Sequence, residues 1–309
     1  MMKAAHRDDL TICPASLEDQ REALEIVLRT LPAADRSRIV QQTILAAAKG
    51  GRSLDGLLVA RRGGRVIGAV WAETQPGRTA SVWAPQVIER QAECIAGALL
   101  TRLDEALRAH HVRMAQTLVN DDARTEADAF RTAGFEHLTD LLYLVSTTAQ
   151  FPTAPVAREL SFEPVVPQNE VRLAAVLDAT YEQTLDCPRL NGMRDGSDVL
   201  AGYRATAHDD TQHWFLARRG GADIGCLLLA HHEEIETWEV VYMGLASDAR
   251  GAGLGAELAR QAQWLVRVAG GDRLLLAVDA ANEPAIKAYA AAGFVTFERR
   301  RVLVKFFDG

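Results

Sequence analysis

Leu24, Val27, Leu28 and Leu31 recur at i, i+3, i+4 and i+7, the spacing that lines apolar side chains along one face of a helix, so residues 17–31 are predicted helical. A short strand at 10–14 (LTICP) precedes this helix and a second helix at 37–48 follows it. The period then shortens. GLLVAR at 56–61 and RVIGAVWAE at 65–73, joined by Arg62-Gly63-Gly64, read as a β-hairpin. A third strand at 79–84, a long helix at 91–109, a strand at 114–119 and a helix at 125–132 come next, and Gly134-Phe135 with LLYLVS at 141–146 closes the series in strand.

The order then begins again. LSFEP at 160–164 matches LTICP in type, 171–180 is helical, and HWFLARRGGADIGCLLLA at 213–230 repeats LLVARRGGRVIGAVWA. The shared ARRGG starts at Ala60 and Ala217, an offset of 217 − 60 = 157, and Gly134-Phe135 returns as Gly293-Phe294 at an offset of 293 − 134 = 159. A repeat this long means two copies of one fold. The proline-bearing stretch TTAQFPTAPVA at 147–157 reads as a linker, which gives domains at 1–148 and 159–309 joined by 149–158. The fold class is α/β (α+β), each copy a mixed, mainly antiparallel sheet flanked by helices.

Composition narrows the setting. With 48% hydrophobic and 24% charged residues, the 309-residue chain reads as globular and large enough for two cores. A net charge of −7 argues against a nucleic-acid or anionic-membrane partner. No apolar run reaches the ~18 residues of a membrane span, and the charged N-terminal stretch has no apolar core. Cys13, Cys94, Cys187 and Cys226 show no paired spacing, so neither zinc nor a disulfide framework is expected. Together these readings give a cytoplasmic protein without a metal.

Chemistry concentrates at DARGAGLGAE, 248–257, where a strand-like run enters a glycine-rich turn that opens a helix. That geometry aims unpartnered first-turn amides at an anion, usually phosphate, and glycine at 253 and 255 would let it approach the backbone. At an offset of 159 the first copy carries Gln91, Cys94 and Ala96 in place of Arg250, Gly253 and Gly255. Cys94 reads as a small buried side chain rather than a reactive thiol.

Two blocks in the second copy, Arg250-Gly251-Ala252-Gly253-Leu254-Gly255 and Asn282 through Tyr289 to Gly293-Phe294, resemble the acetyl-CoA and second signatures of the GNAT superfamily of N-acetyltransferases. The resemblance covers about 160–307 and extends in degenerate form to 10–146. A tandem pair with a decayed first half is similar to the arrangement of the mycothiol synthases, whose substrate is not carried over.

The resemblance implies acetyl transfer from acetyl-CoA to an amine. Met243, Leu245, Arg250, Gly251, Ala252, Gly253, Leu254, Gly255 and Asn282 then hold acetyl-CoA, along a strand end at 241–245 that splays from its neighbour, and the Met243 amide faces the thioester oxygen. Tyr289 is the expected acid, since a phenol of pKa ~10 is protonated at neutral pH and can protonate a leaving thiolate. Its first-copy counterpart is Phe130, which keeps the ring and drops the hydroxyl. Glu239, eleven residues before Arg250, stands where related members carry a base, and its counterpart is Ala80. Asp186, Arg189 and Asn191, in the connection 184–196, are candidate acceptor contacts. The acceptor is a small-molecule amine; a non-catalytic acyl-CoA sensor and a protein-amine acetylase are the alternatives, and the oligomeric state stays open.

Four charged runs receive ordinary readings. His231-His232-Glu233-Glu234 is expected in a solvated loop at a strand end, and Arg61-Arg62 and Arg218-Arg219 are expected to keep hairpin turns wet. Arg299-Arg300-Arg301 is expected as a basic edge between the last two strands.

Overall fold

The structure is a computed structural model that describes residues 10–89, 92–156, 159–190, 196–207 and 210–307. Its residues fall into two compact units, the first of them built from two separate stretches of chain. One comprises the residues up to His137 together with those from Val302 onward, the other Leu138–Arg301.

The first unit runs β1 (Leu10–Pro14), α1 (Gln20–Val27), α2 (Ala33–Ala48), β2 (Leu57–Arg62), β3 (Arg65–Gln75), β4 (Thr79–Val87), α3 (Ala92–Ala109), β5 (Met114–Asn120) and α4 (Arg124–Thr132). Chain order continues with β6 (Glu136–Thr147), β7 (Ser161–Pro164), α5 (Glu170–Tyr181), α6 (Gly196–Thr206), β8 (Trp214–Arg219), β9 (Ala222–His232), β10 (Thr237–Leu245), α7 (Leu254–Val268), β11 (Arg273–Asp279), α8 (Glu283–Ala291) and β12 (Val295–Phe306). In the first unit the strand order is β1-β2-β3-β4-β5 followed by the end of β12; in the second it is β7-β8-β9-β10-β11-β6 followed by the start of β12. The last strand of the first copy is therefore built into the second unit, where β6 pairs antiparallel with β11 from Arg273↔Thr147 to Asp279↔Leu141.

Both hairpins turn on a glycine pair, Gly63-Gly64 and Gly220-Gly221, all four at positive φ, as tight turns between right-twisted strands require. In the second unit one sheet face carries α7 and α8 over Trp238, Leu274, Leu276 and Val278, with Leu258, Ala262 and Val266 fully buried. The other face carries α5 over Trp214, Leu216, Cys226 and Leu228. Each fully buried leucine stabilises the layer by roughly 1.5–3 kcal/mol.

Three expectations need correction. Cys94 is exposed, because it lies on the outward face of the first turn of α3, whose inward face buries Ile95. The arginine run does not lie between two strands but inside β12, whose neighbour in the second unit is β6, and Arg299 and Arg301 meet Asp140 of that strand. The hairpin arginines are held by carboxylates: Arg61 pairs with Asp19, and Arg218 with Glu163 (2.9 Å) and Asp223 (3.0 Å). Half-buried Asp19 and Glu163, which lie outside the hairpins, are partners that the hairpin sequence alone does not reveal, whereas Asp223 is the cross-strand neighbour of Arg218.

Candidate active site

β10 keeps its antiparallel partner β9 to the end, Leu245↔Gly225, but pairs with the parallel β11 only at Trp238↔Leu274 and Glu239↔Leu275. Beyond Glu239 the parallel strands part. Gly225 permits the close β9 contact, since a Cβ there would lie 2.3 Å from the Gly244 carbonyl oxygen. A cavity of about 540 Å³ borders the parting, walled by residues 240–245 of β10, 276–278 of β11 and the first turns of α7 and α8. Its size suits a small-molecule ligand.

The glycine-rich turn forms one rim. Gly251 and Gly253 have φ of +83° and +79°, and a Cβ on either would meet nothing within 4 Å, so glycine is there for the left-handed backbone. Gly253 is the N-cap of α7 and offers no side-chain cap. Among the described residues the amides of residues 251–255 find no acceptor, leaving five N–H groups open where the helix dipole is positive. Gly255 is not required in this way: its φ is not positive, and a Cβ there would lie 3.4 Å from that of Ala288, an ordinary α7–α8 contact. Ala252 is exposed and Leu254 buried in the core; neither lines the cavity.

Arg250 lines the cavity, but its guanidinium donates to the carbonyls of Leu245 (3.0 Å), Gln183 (3.1 Å) and Thr180 (2.7 Å). It fastens the loop after α5 to the end of β10. Met243 and Leu245 line the cavity from β10. Asn282 also lines it and caps α8, its Oδ1 accepting from the Ala285 amide at 3.3 Å.

Tyr289 reaches the cavity wall from α8 and is 7% exposed. Burial pushes its phenol well above the ordinary range, and the charge of Asp186 pushes the same way. Among the described residues nothing hydrogen-bonds its hydroxyl. Asp186, also in the wall, accepts from the Asp279 amide at 3.1 Å, and burial raises its own pKa. Asp279, which sequence reading overlooked, accepts from Cys187 N (3.0 Å) and Ala281 N (2.8 Å). One ligand atom each of Asp186, Cys187 and Asp279 lie within 4.8 Å of one another, yet three of the four carboxylate oxygens accept backbone N–H groups, so the cluster clasps the loop to the end of β11.

The remaining sites scatter. Glu239 lies outside the cavity wall, on the opposite face of β10 from Trp238 and Val240, and its Oε2 is 2.7 Å from His232 Nε2. His231 and His232 belong to the end of β9, where His231 stacks on Trp238 with centroids 4.7 Å apart. Arg189 is exposed and not in the cavity wall, and Asn191 lies outside the described residues. Sequence reading also missed Tyr242, which donates to Thr180 Oγ1 at 2.8 Å because the threonine proton is given to the Leu177 carbonyl at 2.7 Å. The only trace of it was an aromatic residue inside an apolar strand.

Residues 177–294 match the model of the Acetyltransferase (GNAT) family. A mycothiol acetyltransferase of Streptomyces bingchenggensis is 35% identical over 89 residues, and one of Corynebacterium aurimucosum 40% over 76 residues. These matches span 29% of this chain and 29% of the first relative, and 24% and 25% for the second. Among solved structures, a GCN5-related N-acetyltransferase from Sphaerobacter thermophilus superimposes with a TM-score of 0.67 at 16% identity, covering 97% of this chain and 96% of that one. A tandem GNAT protein from the clavulanic acid biosynthesis pathway gives 0.55 at 16%, covering 96% and 98%. The fold is a tandem pair of GNAT-like domains, and the match to the family model falls within the second copy.

Proposed function

We propose that this chain, a tandem GNAT protein, moves an acetyl group from acetyl-CoA to the amine of a small molecule, using one site in its second copy. The observation that carries the reading is the cavity between the parted strands, with five open amides at one rim and a proton-holding phenol in its wall. The open amides of residues 251–255 suit a pyrophosphate, and the strand end with Met243 and Leu245 suits an extended pantetheine arm. Acetyl-CoA supplies the thioester. Tyr289 keeps its proton in the resting site and delivers it to the sulfur as the C–S bond breaks. The Met243 amide serves the carbonyl oxygen. Glu239, from the other face, takes the proton that the amine loses. Asp186 stands beside Tyr289 and favours the protonated phenol. The cavity's small-molecule size and the mycothiol acetyltransferase relatives favour a small acceptor over a protein amine.

The test is thiol release from acetyl-CoA across a panel of primary amines. Tyr289→Phe is expected to lower turnover at least tenfold, about 1.4 kcal/mol of barrier. Unchanged turnover removes Tyr289 as the acid. Tight acetyl-CoA binding with no thiol release from any amine leaves a sensor instead.

A further inference from the structure

The strand that completes the sheet beside the cavity comes from the first copy. In the β6–β11 ladder Tyr143 stands opposite Ala277 and Val145 opposite Leu275, while Leu275 stands opposite Glu239 on β10. Side chains alternate along a strand, so Glu239, Leu275, Ala277 and Tyr143 share one sheet face, opposite the face where α7 covers Trp238, Leu274 and Leu276. Ala277 is exposed and lies in the cavity wall, which puts Tyr143 one strand from the parting. Two residues of β12 extend the patch. Phe297, 47% exposed, meets the Tyr143 ring edge-on at 6.4 Å, and the Arg300 guanidinium lies over that ring at 5.5 Å while its Nε donates to Glu298 at 2.8 Å. The Tyr143 phenol is raised by burial and feels Arg300, Glu298 and Glu239, so these charges surround it.

Resting on the acetyltransferase reading, we propose that this face binds the acceptor and that Tyr143, donated by the first copy, sets its specificity. The acceptor is a primary amine with a C–H-bearing ring one or two carbons from nitrogen. The ring lies on Tyr143 and Phe297, and the nitrogen points to Glu239. An aromatic shelf next to carboxylates offers dispersion to the ring and a Coulombic partner to an arriving ammonium group. A small alkylamine gains only the second. The ring is aromatic or saturated, since an arene can lay its π face or C–H edge, and a cyclohexane chair its axial C–H bonds, on an aromatic shelf, and the probes below separate the two.

Acetyl transfer to 2-phenylethylamine, cyclohexylmethylamine and ethylamine is compared in wild type, Tyr143→Ala and Tyr143→Phe, with acetyl-CoA affinity from calorimetry and a thermal melt for each. The wild type is expected to prefer a ring amine to ethylamine in kcat/KM. Tyr143→Ala should cut that preference at least tenfold through acceptor KM with acetyl-CoA affinity unchanged, and Tyr143→Phe should keep it within threefold. The better ring amine tells whether the shelf takes an arene or a saturated ring. Loss of the preference in neither variant, or an equal loss toward ethylamine, overturns the role of Tyr143. If the wild type binds acetyl-CoA but uses neither ring amine, the acceptor class is wrong. If it does not bind acetyl-CoA, the acetyltransferase reading falls and this one with it.

Discussion

The same turn has two forms in one chain. In the second copy α7 starts at Leu254, after Gly251 and Gly253 have taken left-handed backbone. At an offset of 159, the matching residues Ala92, Glu93 and Cys94 already lie inside α3. The first copy has thus wound its turn into helix and put an acidic residue, Glu93, in the first helical turn, where it repels an anion. A side-chain bridge also crosses the equivalent of the open cavity. Gln86 Nε2 donates to Glu126 Oε1 at 3.0 Å, tying the end of β4 to the first turn of α4. The residues opposite these two, Leu245 and Ala285, both line the open cavity. Phe130, fully buried, fills the place of Tyr289. The two copies differ here in how the backbone winds and in one side-chain bridge, while the layers around the turn persist. The first copy's continuing contribution to the second unit is strand β6.

The largest effect should come from removing that strand. Residues 159–309 alone leave β11 without the partner it has from Leu141 to Thr147, and Leu144, 2% exposed, leaves the core. The bare edge and the opened core should together exceed the roughly 5–15 kcal/mol by which a domain is stable. The fragment is expected to show no cooperative melt by circular dichroism and no acetyl-CoA binding by calorimetry. A monomeric fragment that melts sharply and binds would mean that β6 is dispensable.

Next comes the turn itself. Gly251→Ala with Gly253→Ala asks two non-glycine residues to hold left-handed backbone, at about 1–2 kcal/mol each. If the turn then winds back as α3 does, acetyl-CoA affinity should fall about 30- to 1,000-fold. Gly255→Ala places its Cβ in ordinary contact with Ala288 and should change affinity less than about threefold. Wild-type calorimetry should give one site per chain, and two sites of equal affinity would break the comparison between the copies.

Most of the layer structure was legible, because its causes are local. Period-3.6 and period-2 patterns located the helices and strands, and the repeated ARRGG aligned the copies. What escaped depends on pairing between distant segments. Nothing within 136–147 says that its ladder partner is β11 of the other copy, and a strand can carry Arg299, Arg300 and Arg301 once Asp140 and Glu298 stand beside them. The site divides in the same way. Tyr289, Asn282 and the glycine turn belong to contiguous motifs, and the structure brings them to one cavity. Asp279 and His232 act through partners 92 and 7 residues away, Cys187 and Glu239, and neither has a local signature. Arg250 shows that a motif position can be legible while its contacts are not, since its three carbonyl partners lie on two separate segments.

The smallest effect separates the copies by pH. His213 and Gly56 are equivalent at an offset of 157, each giving its carbonyl to the strand behind, from Leu229 N at 3.2 Å and Ala72 N at 3.0 Å. A side chain at Gly56 would strike the Ala72 carbonyl oxygen at 2.1 Å, whereas the His213 ring sits edge-on to Trp238 at 4.7 Å. Burial lowers the His213 pKa below 6.5; Asp210 opposes this and His231 adds to it. A group with a depressed folded pKa resists protonation in the native state while the unfolded chain accepts it. His213 therefore costs no stability above the unfolded pKa of about 6.5, and native stability falls as pH drops through that value toward the folded pKa. Urea unfolding between pH 7.5 and 5 should show this slope, shallower than the roughly 1.4 kcal/mol per pH unit of one full proton. His213→Phe keeps an aromatic edge against Trp238 and removes the titration, so its stability should change less over the same range. An identical slope in the variant would move the acid sensitivity away from this residue, and with it the claim that the second copy carries a pH response that Gly56 denies to the first.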